Sequence, residues 1–139
     1  REVAERVLAS PGTSAWGSLA ISLQSAYSGS VLRELSPGLF RPRPKVQSAL
    51  VKLERLQSPW DPLERRRVLH LARLLFLHRR QSLGRALARF HAPDIVTDAL
   101  AGCALPANAR AEQLDLTSFR RLVAVLPEPA ARETPGMEG

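Results

Sequence analysis

One segment constrains the fold more than any other, because it is typical of a long helix with a marked beginning. It is SPWDPLERRRVLHLARLLFLHRR, residues 58–80. Asp61 is placed to cap the helix, Pro62 suits its first turn, and Glu64 would complete a capping box. The apolar side chains recur at helical spacing on one stripe, made of Val68, Leu71, Ala72 and Leu75. The pattern predicts a central helix.

Three further helices are predicted after this one. They are SLGRALARF, PDIVTDALAG, which Gly102 is expected to stop, and DLTSFRRLVAVL, with Asp115 as N-cap. The side chains expected to face inward from the first and last of them are Leu83, Ala86, Leu87, Phe90, Phe119, Leu122, Val123 and Leu126. Residues 58–126 are therefore predicted to form a small all-α domain of about four helices, followed by a disordered tail at 127–139.

The first 57 residues have a different pattern. REVAERVLAS is typical of the end of a helix, while LAISLQSAY, SVLREL and QSALVKLERL are each predicted to be strands. The fold class is therefore α/β, with one helix and three strands before the helical domain. So small a sheet buries too little surface to stand alone. Since the chain also starts without methionine, we expect it to be a piece of a longer protein whose sheet continues on the N-terminal side.

A proline-rich loop connects two of these predicted strands. Prolines 37, 42 and 44 hold the loop extended, and the loop carries one aromatic and three cationic side chains: Phe40, Arg41, Arg43 and Lys45. An aromatic ring beside cations can stack a nucleic-acid base while the cations bind phosphates. The alternative is a solvated connection whose prolines guard a sheet edge. The local sequence leaves both interpretations open.

Positive charge is concentrated in the middle of the chain. The net charge is +7, and residues 58–91 carry eight arginines against Asp61 and Glu64. Such a block favours a polyanionic partner. Arg79, Arg80 and Arg85 meet at a helix junction, either to bind phosphates or to interact with the carbonyl end of the long helix. Another face of that helix carries Arg66, His70 and Arg73.

Several functional classes find no support in the sequence. There is no apolar run of the ~20 residues needed to cross a bilayer, and no signal-peptide pattern. A lone cysteine, Cys103, excludes an internal disulfide, fits a reducing cytoplasm, and is expected to be buried and inert. Neither a glycine-rich nucleotide turn nor a His/Cys cluster at metal spacing is present. The chain as given holds no complete catalytic constellation.

Four segments resemble one family, the small-subunit ribosomal RNA adenine dimethyltransferases, also called the kasugamycin-resistance methyltransferases. PGLFRPRPKVQSALVKL is similar to P-x-x-F-x-P-x-P-K-V-D-S-A-V-V-x-L, and REVAERVLASPGTSAWGSLAISLQ to K-E-V-A-x-R-x-x-A-x-P-x-x-x-x-Y-G-x-L-S-V-x-x-Q. FLHRRQSLGRAL is similar to F-x-Q-R-R-K-T-L-x-N-x-L, and ARAEQLDLTSFRRLVAVL to R-A-E-x-L-x-x-x-x-F-x-x-L. They follow one another in family order and spacing from Arg1 to about Leu126.

The resemblance implies the C-terminal portion of a Rossmann-like methyltransferase sheet followed by a helical rRNA-docking domain. It implies methyl transfer from S-adenosylmethionine to two adjacent adenines of small-subunit rRNA, by a cytoplasmic monomer that binds the small ribosomal subunit and no membrane. The family's cofactor turn and Asn-Leu-Pro-Tyr motif would lie upstream of Arg1, so catalytic and cofactor residues, and activity, are expected to be missing from this chain. The residues that carry over are Phe40 for stacking the target base and, for RNA binding, Arg41, Arg43, Lys45, Arg79, Arg80 and Arg85.

The chain departs from the family pattern at several positions. Gln47 replaces Asp, Trp16 replaces Tyr, Gln81 replaces Lys, and Gly84-Arg85 replaces Arg-Asn. These changes are expected of a divergent member. A different class, a non-catalytic RNA-binding or ribosome-assembly module, stays open at this point. A DNA-binding domain is disfavoured, because no helix has exposed base-reading residues at helix-turn-helix spacing.

Overall fold

The computed structural model describes residues 2–35 and 48–127. Phe40, Arg41, Arg43 and Lys45 of the proline loop, and the tail from residue 128, lie outside the described residues. The described elements are α1 (Glu2–Val7), α2 (Ser18–Gln24), β1 (Tyr27–Leu35), β2 (Ser48–Arg55), α3 (Pro62–Leu77), α4 (Leu83–Leu87), α5 (Pro93–Gly102), a 3₁₀ turn (Ala111–Gln113) and α6 (Leu116–Val125).

The first of the three predicted strands is a helix. LAISLQSAY was expected to be extended because Leu19, Ile21 and Leu23 alternate with smaller residues, but residues 18–24 form α2. Two adjacent residues, Ala20 and Ile21, are both fully buried, whereas Leu19 is exposed. A strand would direct Ala20 and Ile21 to opposite faces, so packing against the neighbouring helices selects the helix for a short run that suits either structure.

The other two predicted strands are confirmed, and they form an antiparallel hairpin. The pairing runs from Tyr27 with Arg55 to Leu35 with Ser48, with an irregularity between Val31 and Arg33. Leu8, directly after α1, packs closely on this hairpin at Gly29. A Cβ there would lie 2.7 Å from Cδ2 of Leu8 and 2.8 Å from Cδ2 of Leu53, closer than carbon atoms normally approach. Glycine therefore permits this contact.

Helix α3 begins as the sequence predicts. The Asp61 carboxylate accepts hydrogen bonds from the backbone N–H groups of Leu63 at 3.0 Å and Glu64 at 3.2 Å. Pro62 occupies the first turn, where its missing N–H costs nothing. The predicted apolar stripe is buried in full, and Leu74 is buried with it. The Glu64 carboxylate, expected to complete the capping box, instead binds Arg120 on α6.

The core of the helical region also contains residues from the first part of the chain. Trp16, Ala20 and Ile21 belong to the same buried cluster as the apolar stripe of α3. The Trp16 indole N–H donates a 2.8 Å hydrogen bond to the carbonyl of Leu114, 98 residues later. The predicted inward faces of α4 and α6 are also buried, except that Phe90 is half-buried beside His78.

Helix α5 ends at Gly102, as the sequence predicts, but the residue with the left-handed conformation comes two positions later. Gly102 is the last helical residue, but the left-handed conformation falls on Ala104, with φ of 55°. The Leu105 N–H then donates to the carbonyl of Leu100 at 2.9 Å, which is the long bond of a Schellman motif. An alanine in this conformation carries steric strain of roughly 1–2 kcal/mol that glycine would avoid.

Candidate functional site

The described part of the predicted RNA-binding set lies where α3 turns into α4. Arg79 and Arg80 follow the last turn of α3, and Arg85 lies in the middle of α4. Ser82 caps α4 by accepting a hydrogen bond from the Arg85 N–H at 3.4 Å. The three arginines are thus held on one short, well-defined corner, but they do not have the same surroundings.

Arg79 is held by contacts within the chain. Its guanidinium donates to the carbonyls of Ser14 and Trp16, each at 2.8 Å. It also lies 3.6 Å from a Glu112 carboxylate oxygen and 5.4 Å from the centre of the Phe76 ring. These contacts join the end of α3 to the loop before α2. They give Arg79 a structural role. Its contact with RNA stays a prediction.

Arg80 and Arg85 are both exposed. Their guanidinium groups have no hydrogen bond or ion pair to any residue in the described ranges 2–35 and 48–127. An arginine held in a fixed position by its backbone, with its five donors free, is suited to bind phosphate oxygens. Among the described members of the predicted set, these two residues are therefore the ones available to a ligand.

Gln81, one of the departures from the family pattern, has a partner in this chain. Its Oε1 accepts a 3.1 Å hydrogen bond from Nε of Arg89. A lysine at position 81 has no acceptor and would repel the guanidinium. Glutamine in place of lysine thus removes one positive charge and provides an acceptor that holds the Arg89 guanidinium in place.

Sequence reasoning did not recognise that other arginines of α3 are used inside the fold. Arg65 donates to Ser25 Oγ at 2.9 Å and to the Ser22 carbonyl at 2.7 Å, which ties α3 to the end of α2. Arg67 donates to the Leu126 carbonyl at 2.8 Å, at the end of α6. Arg65 lies three and seven residues before buried Val68 and Ala72, so helical spacing was the available signal.

A second arginine cluster connects α3 to α6. Arg120 binds both carboxylate oxygens of Glu64, at 3.1 and 2.9 Å, and its guanidinium lies 4.4 Å from the centre of the Trp60 ring. This two-point pairing fixes orientation as well as distance. The cluster joins the beginning of α3 to α6, and we interpret it as structural.

A groove of about 400 Å³ lies between α4 and α5. Its lining is small and mostly apolar: Gly84, Ala88, Pro93, Val96, Thr97, Leu100, Ala101, Leu105 and Ala107. It offers no carboxylate for a ribose hydroxyl and no aromatic face for an adenine ring. The residues of this groove do not fit S-adenosylmethionine, and no catalytic step is derived from it.

Other reactive groups in the described residues do not assemble into a catalytic site. No group of three potential metal ligands comes together there. Cys103 is buried, and this burial raises the pKa of its thiol, which disfavours the thiolate. The described helices include none that is long and apolar enough to cross a membrane.

Two solved structures share the fold of this chain. The chain superimposes on a dimethyladenosine transferase from Plasmodium falciparum with a TM-score of 0.72 and 23% identity, over 88% of this chain and 52% of that one. It superimposes on the 23S rRNA methyltransferase ErmE with a TM-score of 0.58 and 22% identity, over 81% of this chain and 47% of the other. The chain therefore shares its fold with about half of each of these two structures.

Sequence comparison then gives the family. The profile described as ribosomal RNA adenine dimethylase matches residues 1–127. Curated relatives named ribosomal RNA small subunit methyltransferase A include those of Synechocystis, 36% identical over 91% of this chain, and Ruegeria pomeroyi, 39% identical over 86%. The chain belongs to the ribosomal RNA adenine dimethylase family, as its four motifs predict. It spans 45% and 42% of the length of these two relatives.

Proposed function

We propose that this chain is the RNA-docking portion of an rRNA adenine dimethyltransferase. The whole protein would transfer methyl groups from S-adenosylmethionine to two adjacent adenines of small-subunit rRNA. The observation that carries the proposal is the family match, which runs through both the hairpin and the helical region, residues 1–127. The proposed partner is the small ribosomal subunit. We propose that the whole protein is a cytoplasmic monomer that does not bind a membrane.

The roles proposed for individual residues follow the motif matches and the exposed charges. Phe40 would stack on the target adenine after it leaves the helix stack, as enzymes that modify a base require. The cations of the same loop and those of the α3–α4 corner would bind phosphates: Arg41, Arg43, Lys45, Arg79, Arg80 and Arg85. The exposure of Arg80 and Arg85 supports this role for them more strongly than for Arg79.

The hairpin would complete the methyltransferase sheet in the whole protein. Four large apolar residues of β1 and β2 are exposed in this chain: Val31, Leu32, Leu50 and Leu53. Exposed apolar surface on a two-stranded sheet is typical of an element that packs against something further. We propose that residues 1–57 end a methyltransferase domain and that residues 58–126 form the rRNA-docking domain.

We further propose that this chain alone neither binds S-adenosylmethionine nor methylates RNA. The cofactor turn and catalytic motif would belong to the part of the family members that this chain does not span. Isothermal calorimetry of the 139-residue chain with S-adenosylmethionine should give no saturable heat. Saturable binding would contradict this proposal and place a cofactor site in this chain.

The deciding experiment uses the full-length parent protein. It measures methyl incorporation from labelled S-adenosylmethionine into small ribosomal subunits that lack the modification. Incorporation into adjacent adenines would support the proposed enzyme. Binding to the subunits without incorporation would favour the alternative, a non-catalytic ribosome-assembly module.

The same assay tests Phe40. Replacing Phe40 by Ala should lower turnover more than RNA affinity, because the ring would contact the displaced base rather than the RNA backbone. Phe40→Tyr is the matched control, since it keeps the stacking face and should keep most of the rate. An unchanged rate for Phe40→Ala would remove this residue from the site.

A further inference from the structure

The outer face of α3 carries a row of side chains to which the function proposed above gives no role. Arg66, His70, Arg73 and Leu77 lie at intervals of four, three and four residues, which places them on one side of the helix. The opposite side is the buried stripe that contains Val68 and Leu75. Arg66 and Arg73 are exposed, Leu77 is 66% exposed, and exposed Arg80 follows three residues after the end of the helix.

The arginines of this region divide into two groups of three. Arg65, Arg67 and Arg79 donate to backbone carbonyls of neighbouring segments. Arg66, Arg73 and Arg80 have no hydrogen bond or ion pair to any residue of the described chain. The first group thus makes contacts within the fold. The members of the second group make none in the described ranges and lie seven residues apart in the sequence. Within the helix this interval corresponds to about 10 Å, at a rise of 1.5 Å per residue.

In the described part of the chain, no acidic side chain forms an ion pair with this row, and Asp61, directly before α3, uses its carboxylate to cap the helix. Glu64 is the one carboxylate on α3, and both of its oxygens bind Arg120. Of the elements that pack on α3, neither α2, α4 nor α6 contains an acidic residue. The 3₁₀ turn contributes Glu112, which faces Arg79. The exposed face of α3 therefore carries two arginine charges that no described carboxylate neutralises.

We propose that this face, formed by Arg66, His70, Arg73 and Leu77 and continued by Arg80, docks on the phosphate backbone of double-stranded RNA. This proposal rests on the proposed function and adds a contact separate from the proline loop. Arginines fixed at regular intervals on a rigid helix fit a regularly spaced row of phosphates. Double-stranded RNA is recognised largely by shape and backbone, because its deep major groove hides the bases.

An acidic protein is the less suitable partner. Stable protein interfaces contain a buried core of apolar or aromatic side chains. Leu77 is the sole large apolar side chain in this row. The proposed contact should therefore depend strongly on salt and little on RNA sequence.

The test measures binding of the 139-residue chain to an RNA duplex of about 16 base pairs, a length that known duplex-binding domains span. The variant is R66Q/R73Q, and the control is R110Q/R121Q, which removes the same charge from exposed positions outside α3. The control should bind nearly as the parent does. The variant should lose about tenfold or more in affinity at ~0.1 M salt, with a salt slope smaller by nearly two units. A second duplex of unrelated sequence should give the same losses.

Equal losses for the variant and the control would overturn the proposal, because they would show a general charge effect. Unchanged binding of the variant would overturn it as well. Thermal unfolding midpoints of both proteins should match the parent, since the replaced side chains are exposed. The binding assay does not depend on methylation, so it tests this surface separately from the enzyme proposal. If the methyl-transfer assay fails but R66Q/R73Q shows a selective loss of RNA affinity, the enzyme proposal is wrong and the proposed RNA-binding surface is supported.

Discussion

The helical region and the hairpin of this chain differ in how completely they bury their apolar side chains. In the helical region, the stripes of α3, α4, α5 and α6 close around one core, and Trp16 and Phe119 are almost fully buried within it. In the hairpin, Val31, Leu32 and Leu50 are about half exposed. The helical region thus closes a core of its own and leaves single apolar side chains such as Leu77 exposed. The hairpin has several exposed apolar side chains close together, which suits contact with a partner.

Their polar contacts differ in the same way. Arg65, Arg67 and Arg79 connect α3 and its end to neighbouring segments through half-buried hydrogen bonds to backbone carbonyls. The ion pair seen in the hairpin joins Lys52 and Glu54 at 2.7 Å, and both side chains are more than half exposed. Exposed pairs of that kind contribute about 0–1 kcal/mol. Stability should therefore be concentrated in the helical region.

The largest expected effect comes from Trp16→Ala. It removes a buried ring and leaves the Leu114 carbonyl without its donor, so the free energy of unfolding should fall by about 3–5 kcal/mol. Leu19→Ala, at an exposed position on α2, is the control and should change it by about 0.5 kcal/mol or less. Chemical denaturation of the 139-residue chain measures both. Similar losses for the two would contradict the inclusion of Trp16 in the helical core.

The next effect compares two adjacent arginines. Arg79→Ala should destabilise the chain by about 2 kcal/mol, because two carbonyls lose a charged donor. Arg80→Ala should change stability by no more than about 0.5 kcal/mol, since its side chain is exposed. In an RNA-binding assay, Arg80→Ala should lower affinity without altering the unfolding midpoint. If Arg80→Ala destabilises the chain as much as Arg79→Ala, the division of roles between these residues is wrong.

A smaller effect of opposite sign is expected at the end of α5. Ala104→Gly should stabilise the chain by about 0.5–1 kcal/mol, because glycine adopts a positive φ without strain but adds entropy to the unfolded state. Ala101→Gly, inside the same helix, should instead destabilise it by about 1 kcal/mol. Opposite shifts of the thermal midpoint in the two variants are the expected result, and a lower midpoint for Ala104→Gly would exclude the strain.

The smallest effect is expected in the hairpin. Val31→Thr should change the unfolding free energy of this chain by about 0.5 kcal/mol or less, because the side chain is about half exposed and the new residue suits a strand. In the full-length parent, the same change should cost clearly more if the hairpin packs against a larger sheet. Equal effects in both proteins would argue that the hairpin lacks such a partner.

What could be predicted from sequence was mainly local. The start of α3 and the cap of α6 depend on Asp61 and Asp115, which bind N–H groups two or three residues away. The buried stripes follow from helical spacing, and they too are confirmed. Four short motifs were enough to predict the family to which the chain belongs.

The features that could not be predicted depend on distant residues. The α2 segment was mispredicted because its short apolar pattern suits a strand equally well, and packing decides between them. The partners of Arg79 lie 63 and 65 residues away in the chain. No local pattern separates this arginine from Arg80, since their difference arises only when the loop before α2 folds onto α3.

The hydrogen bond from Trp16 to Leu114 has a consequence for the order of events during synthesis. Ribosomes release the N-terminal end first, so the indole emerges 98 residues before the carbonyl it binds. At ~5–20 residues per second, this separation corresponds to roughly 5–20 s. During that interval, the apolar surface around Trp16 has no completed core to enter. We expect the nascent chain to rely on chaperones in this period, and the core to close as one of the last steps of folding.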